Sequence, residues 1–188
     1  FERINSGGVK LEPQESRNAI YDGPLNQMCI RLARNPYLCK AWGIPEPTVD
    51  ELNARPISNR LRHNERYRKM GDVELVLRFF AYRQRRQLQT GSLRDYLDSY
   101  LKHGNLLPPE VLEAFEGLFT QTIELVIETL GVNAFHLWRS RNDRWSYHNR
   151  PTTVVYDPLM YVFSQHLDER ETILRCRQDL RDGIEQFF

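Results

Sequence analysis

Between Pro108-Pro109 and Gly131 the chain carries its longest run of helical spacing. Val111, Leu112, Phe115, Leu118, Phe119, Ile123, Val126, Ile127 and Leu130 recur at three- and four-residue intervals, which predicts a helix opened by the prolines and stopped by the glycine. A second run begins at Gly71-Asp72. It sets Val73, Val76, Leu77 and Phe80 on one stripe and Leu75, Phe79 and Tyr82 on another, so this helix should be central. Ser92 with Asp95 three residues on predicts a capped helix ending near His103-Gly104.

The flanking segments are shorter. Phe1 to Leu11 reads as a strand end and a Gly-Gly loop, and Pro13 opens a helix to about Tyr21. Pro24 opens another, with Leu25, Met28 and Leu32 on one face, ending near Asn35-Pro36; Tyr37 to Trp42 adds a short helical piece. Gly43 to Asn59, with Pro45, Pro47 and Pro56, reads as a loop. Residues 134–150 look irregular and Arg-rich, and Thr152 to Tyr156 is the other candidate for β-structure. Asp157-Pro158 resembles an N-cap and first helical position for a helix to about Leu167, and Asp168 with Glu171 caps a last helix towards Phe188. The chain is expected to be mainly α, with units at 1–43, 44–59 and 60–188.

Composition narrows the partners. A net charge of +1 gives no global pull towards nucleic acid or membrane. Only Lys10, Lys40, Lys69 and Lys102 are lysines against 22 arginines, a choice that suits bidentate phosphate or carboxylate contacts. No apolar run approaches the roughly 20 residues of a membrane helix, and no signal-peptide pattern occurs. Phe1 is read as an interior residue of a longer chain. Cys29, Cys39 and Cys176 match no zinc spacing and suit small hydrophobes in a reduced, cytoplasmic protein.

The opening run places Gly7-Gly8 after Asn5-Ser6 and ahead of a helix. Such a loop allows close backbone approach and presents N–H groups to an anion, though a hairpin without ligand would use the same residues. Arg3 could clamp a phosphate, and Asn5 could ligate a metal or donate to phosphate.

Phe1, Arg3, Ile4, Asn5, Gly7, Gly8, Leu11, Glu15, Arg17, Asn18 and Ala19 form a pattern that resembles the second signature of the GmrS-type domain, found in GmrSD-like modification-dependent restriction systems. The run Arg66 to Ala81 resembles that family's central helix. The family is similar in turn to the ParB and sulfiredoxin group, so the helical bundle would complete an α+β domain. The resemblance implies phosphate contacts from Arg3, Asn5, Ser6, Gly7, Gly8, Glu15, Arg17 and Arg78, with Asn5 holding Mg²⁺ against ATP, GTP or CTP. It implies hydrolysis gating a nuclease domain or partner protein, with DNA as the target, and is compatible with a homo-oligomer. Two departures stand out. Ile4 replaces the Glu that ParB-like proteins place before the asparagine, and the family's first signature, Asp-Gly-Gln-Gln-Arg, does not occur in this sequence. The N-terminal half of the domain that carries it is therefore a further expected partner.

Other clusters point elsewhere. Glu74 and Arg78, one turn apart, are either an internal ion pair or, by the resemblance, a pair with Arg78 turned to the nucleotide. Glu15 serves equally as a helix cap. Arg60, Arg62, Arg66, Arg68 and Lys69, and after the central helix Arg83, Arg85 and Arg86, could meet to bind DNA backbone. Arg139, Arg141, Arg144, Trp145, Tyr147, His148 and Arg150 interleave cations with aromatics, either to stack bases or as a loop anchored by Trp138 and Trp145. His148-Asn149 lacks the second histidine of a nuclease motif, and no His pair has zinc spacing. The competing expectation is a non-catalytic helical DNA-binding or protein-interaction module, in which the two Arg-rich segments form one positive face.

Overall fold

A computed structural model describes residues 11–48, 58–84, 91–141 and 144–186 of the 188. Arg3, Asn5, Ser6, Gly7 and Gly8 lie outside the described residues, as do Arg85 and Arg86. The described chain is mainly α. Its helices are α1 (Pro13–Ile20), α2 (Pro24–Leu32), α3 (Pro36–Ala41), α4 (Asn59–His63), α5 (Glu65–Arg68), α6 (Gly71–Arg83), α7 (Leu93–Gly104) and α8 (Pro109–Leu130). Two strands follow, β1 (His136–Arg141) and β2 (Arg144–Pro151), then α9 (Thr153–Phe163), a 3-10 turn (Leu167–Glu169), α10 (Arg170–Arg175) and α11 (Arg177–Gln186).

Helix α6 is the axis. Leu75, Val76, Leu77, Phe79, Phe80 and Ala81 are all buried, because α2, α7, α8 and α9 surround it. Aromatic rings tie it to α8: Phe79 meets Phe119 edge-on at 5.4 Å and Phe80 stacks on Phe115 at 5.1 Å between centroids. A second aromatic group, Trp42, Phe135 and Tyr156, joins α3, the segment before β1 and α9. The tyrosine hydroxyl donates to the carbonyl of Leu75 at 3.0 Å, so even this fully buried polar atom is satisfied.

The sequence pattern predicts several ends well. Ser92 Oγ accepts from the Asp95 N–H at 3.2 Å, and Gly131 adopts φ 81°, closed to most side chains, where α8 stops. Arg181 then donates to the carbonyl of Thr129 at 2.7 Å, covering acceptors that a helix C-terminus leaves free.

Three expectations change. Residues 134–150 are not irregular: most of them form an antiparallel ribbon, with Trp138 opposite Tyr147, Arg139 opposite Ser146, Ser140 opposite Trp145 and Arg141 opposite Arg144. The α9 helix starts at Thr153, with Pro158 inside it, rather than at Asp157-Pro158, and residues 153–156 are helical rather than β. Thr152 is the cap, its hydroxyl accepting from the Val154 N–H, and burial of Tyr156 fixes the first turn despite the donor that Pro158 lacks. The last helix is broken at Cys176. The break lets α10 reach α8 through Arg170 to Glu128 (2.5 Å) while α11 reaches its end through Arg181.

Close packing gives a direct test. A Cβ built on Gly104 would sit 2.2 Å from Cδ2 of Leu25, a side chain with no exposure and little room to move. Gly104→Ala should cost about 1–3 kcal/mol in chemical denaturation. By contrast Gly183→Ala on α11, where nothing lies within 4 Å, should stabilise the fold by roughly 0.5–1 kcal/mol.

Candidate functional site

Helix α1 begins at Pro13, whose fixed φ suits the first helical position. The Glu12 N–H donates to Glu15 Oε2 at 2.8 Å, so Glu15 acts here as a helix-end acceptor. Lys69 bridges this end to α5, with Nζ 3.2 Å from Glu12 and 3.0 Å from Glu65.

One turn along α1, Arg17 is 2% exposed. Its Nε donates to Asp98 Oδ1 at 2.6 Å, its Nη1 donates to Gln14, and it lies 3.5 Å from Glu74. Glu74 is also 3.8 Å from Arg78, which is forked onto Asp157, with Nε 3.1 Å from Oδ1 and Nη2 bonded to Oδ2. Three carboxylates thus alternate with two guanidinium groups across α7, α1, α6 and α9. Burial demands this: an unpaired guanidinium inside the fold would be costly, so Arg78 forks onto both oxygens of Asp157 while Arg17 divides its donors between Asp98 and Gln14. Of the three arginines predicted from sequence to meet phosphate, the two among the described residues are therefore held by carboxylates, and Arg78 has Asp157 as its main partner in addition to Glu74.

Beside this network is a cavity of about 350 Å³. Ile30, Tyr67, Met70 and Val73 supply apolar wall, and Arg34, Arg62, Arg68 and Asp72 supply charge. Arg34 donates to the carbonyl of Pro45 at 3.0 Å and covers the Tyr67 ring, whereas Arg62 and Arg68 are exposed. Met70 connects the cavity to α1: its sulfur accepts from Asn18 Nδ2 at 2.9 Å. Among the described residues it is the one non-glycine with positive φ, 52°.

Asp72 is 2% exposed, and burial pushes its carboxyl up to about 6, offset in part by the Val73 N–H and the charges of Arg34 and Arg66.

The remaining predicted cations divide into two groups. Arg66 lies over the Trp42 ring, 4.2 Å from its centroid, and Arg83 donates to Ser164 Oγ at 3.0 Å. Arg60, Arg62, Arg68, Arg139, Arg144 and Arg150 are exposed. Arg141 is placed by its backbone in β1, opposite Arg144. Trp138 is half-buried, as an anchor should be, while Trp145 is 49% exposed and stacks on it. Sequence reasoning missed Asp72, Asp98, Asp157 and Arg34. The period-two placement of Trp145 and Tyr147, across Asn142-Asp143 from a second such run, was the available signal for the ribbon.

Among the described residues no group of three or more His, Cys, Asp or Glu side chains could hold a metal ion, and no helix is long and apolar enough to cross a membrane. No family model, curated protein or solved structure matches this chain.

The Asp72 shift has a defined consequence for stability. Folding raises this carboxyl, so the folded state holds its proton more tightly than the unfolded one between about pH 4 and 6. The stabilisation is complete below pH 4 and lost as pH rises through 6. Asp72→Asn should therefore gain on the wild type by on the order of 3 kcal/mol between pH 4 and pH 7, measured by urea denaturation across that range.

Proposed function

We propose that this chain is part of a nucleoside-triphosphate-binding and -hydrolysing sensor domain, in a cytoplasmic bacterial restriction system directed against foreign, often modified DNA. The observation that supports it is the meeting of the two segments that carry the GmrS-type resemblance. Residues 13–19 and 66–81 are some 50 positions apart, yet α1 and α6 pack together. Asn18 bonds Met70, Arg17 reaches Glu74, and Lys69 reaches Glu12. The start of α1, where an N-terminal phosphate loop would deliver its ligand, adjoins Lys69, and Asn18 further along the helix reaches Met70 in the wall of the arginine-lined cavity.

In this reading the backbone N–H groups at Gly7 and Gly8 cradle phosphate, with Arg3, Asn5 and Ser6 beside them. Mg²⁺, when bound with ATP, GTP or CTP, would neutralise charge on the phosphate oxygens as water attacks. Arg17 joins α1 to α6 through Glu74, which Arg78 also approaches. The outputs would be a nuclease domain or partner protein and, through it, DNA.

A second reading, a DNA-binding module, is favoured by a separate observation. Arg66 of α5 lies on Trp42, and Trp42 stacks on Phe135 at 6.0 Å, just before β1. The two Arg-rich segments are therefore neighbours across one aromatic side chain.

The full-length protein should bind one of ATP, GTP or CTP with Mg²⁺ in calorimetric titration. Asn5→Ala should weaken that binding by about tenfold or more, since one charge-assisted hydrogen bond contributes roughly 1.5–3 kcal/mol. A folded full-length protein that binds none of the three contradicts the proposal.

A further inference from the structure

Antiparallel pairing gives the β1–β2 ribbon two unlike faces. Trp138, Trp145 and Tyr147 share one, with Tyr147 edge-on to Trp138 at 4.7 Å and Trp145 stacked on it at 6.5 Å. Trp138 and Tyr147 line an apolar cavity with Leu159 of α9 and Ile184 of α11, so this face looks inwards to the body. Alternation then sets Arg139, Arg144 and Ser146 on the outward face, all three exposed.

The outward charges are not used by the fold. The sequence 136–151 holds four arginines against one aspartate. Among the described residues, no ion pair or side-chain hydrogen bond holds the guanidinium of Arg139, Arg144 or Arg150, whereas the buried arginines Arg17 and Arg78 are each paired to carboxylates. Arg141 and Arg144 are paired in the backbone register at the end of the ribbon.

The ribbon is also not isolated. Arg150 lies near enough to α5 to help hold the Glu65 carboxyl below its usual range, behind the larger effect of the Lys69 hydrogen bond. Arg60, Arg62 and Arg68 of α4 and α5 are exposed, and among the described residues no ion pair or side-chain hydrogen bond holds their guanidinium groups, although Arg68 also helps to lower the Glu65 carboxyl. A ribbon with a basic outer face thus stands near a basic shoulder.

We infer that this ribbon is a duplex-DNA contact: it enters the major groove with Arg139 and Arg144 outward, while Arg60, Arg62 and Arg68 take backbone phosphates beside it. The inference rests on the DNA-binding reading and specifies which form of nucleic acid is bound and by which element. Shape decides the ligand class. The B-form major groove, about 12 Å wide, admits a two-stranded ribbon, whereas the deep, narrow major groove of A-form RNA does not. Single strands are held chiefly on exposed aromatic platforms, and here Trp138 and Tyr147 face the body, which leaves Trp145, 49% exposed, as a single exposed ring rather than a platform.

The test is fluorescence anisotropy with the full-length protein. Its probes are a mixed-sequence DNA duplex, an RNA duplex of the same sequence, and the single DNA strand, each between about 50 and 200 mM salt. Two variants separate the elements: Arg139→Ala/Arg144→Ala on the ribbon and Arg60→Ala/Arg62→Ala/Arg68→Ala on the shoulder, both checked for native circular dichroism. The expected result is preference for the DNA duplex. The ribbon variant should lose about tenfold or more in affinity, with a log–log salt slope reduced by about two. Wild type without DNA binding overturns both the reading and the inference. Duplex binding that the shoulder variant loses and the ribbon variant keeps leaves the reading standing and overturns the inference. Equal affinity for the RNA duplex or the single strand also overturns it.

Discussion

A buried guanidinium organises this fold. Arg78 lies inside the central helix at 8% exposure, and a charge in that position is tolerable only when a carboxylate meets it with matched geometry. Asp157 supplies the match through two hydrogen bonds, from a helix 79 positions away in sequence. Its neighbour Tyr156 reaches the carbonyl of Leu75 on α6. Two adjacent residues of α9 are thereby registered against the axis of the bundle. Because Thr152 closes the ribbon by donating to the carbonyl of Phe135 at 2.9 Å, the ribbon's orientation is inherited from the same anchor.

Seen from Arg78, the charge network and the aromatic groups do complementary work. Phe79, Phe80, Phe115 and Phe119 give α6 and α8 their non-directional adhesion, which leaves rotation about the helix axes weakly determined. The alternation of Asp98, Arg17, Glu74, Arg78 and Asp157 is directional and fixes that rotation. It also docks α1, which has few apolar residues of its own to bury and is held through Arg17 and Asn18, with Gln14 bonded to both within the helix. Any ligand brought to the start of α1 would act on a helix held by ionic contacts, which respond to charge far more than an apolar seam would.

What could be read from the sequence follows the range of the interactions. The α6 and α8 helices, the Ser92 cap and the Gly131 stop depend on spacing within one segment, and the pattern displays them. The ribbon does not, because its aromatics alternate over too few residues and its arginines resemble those of a loop. The start of α9 was misplaced since Asp157-Pro158 has the local form of a cap, while Asp157 is spent on a partner that no local rule reveals. Arg17 and Arg78 are expected from the sequence to meet phosphate, with Glu74 as the alternative partner of Arg78; their carboxylate partners Asp98 and Asp157 come from distant helices. The loop holding Asn5, Gly7 and Gly8 lies outside the described residues, so its part in the site rests on the resemblance alone.

The central structural claim is that the Arg78–Asp157 pair is a registering contact whose two halves are costly apart. A double-mutant cycle in urea tests it, comparing Asp157→Leu, Arg78→Met and the double variant. Asp157→Leu alone should lose about 3–5 kcal/mol by leaving Arg78 buried and without its main partner, and the double variant should recover most of that loss. If the double variant is as unstable as the sum of the two single ones, the residues do not act as a pair, and the anchor assigned to α9 and the ribbon is wrong.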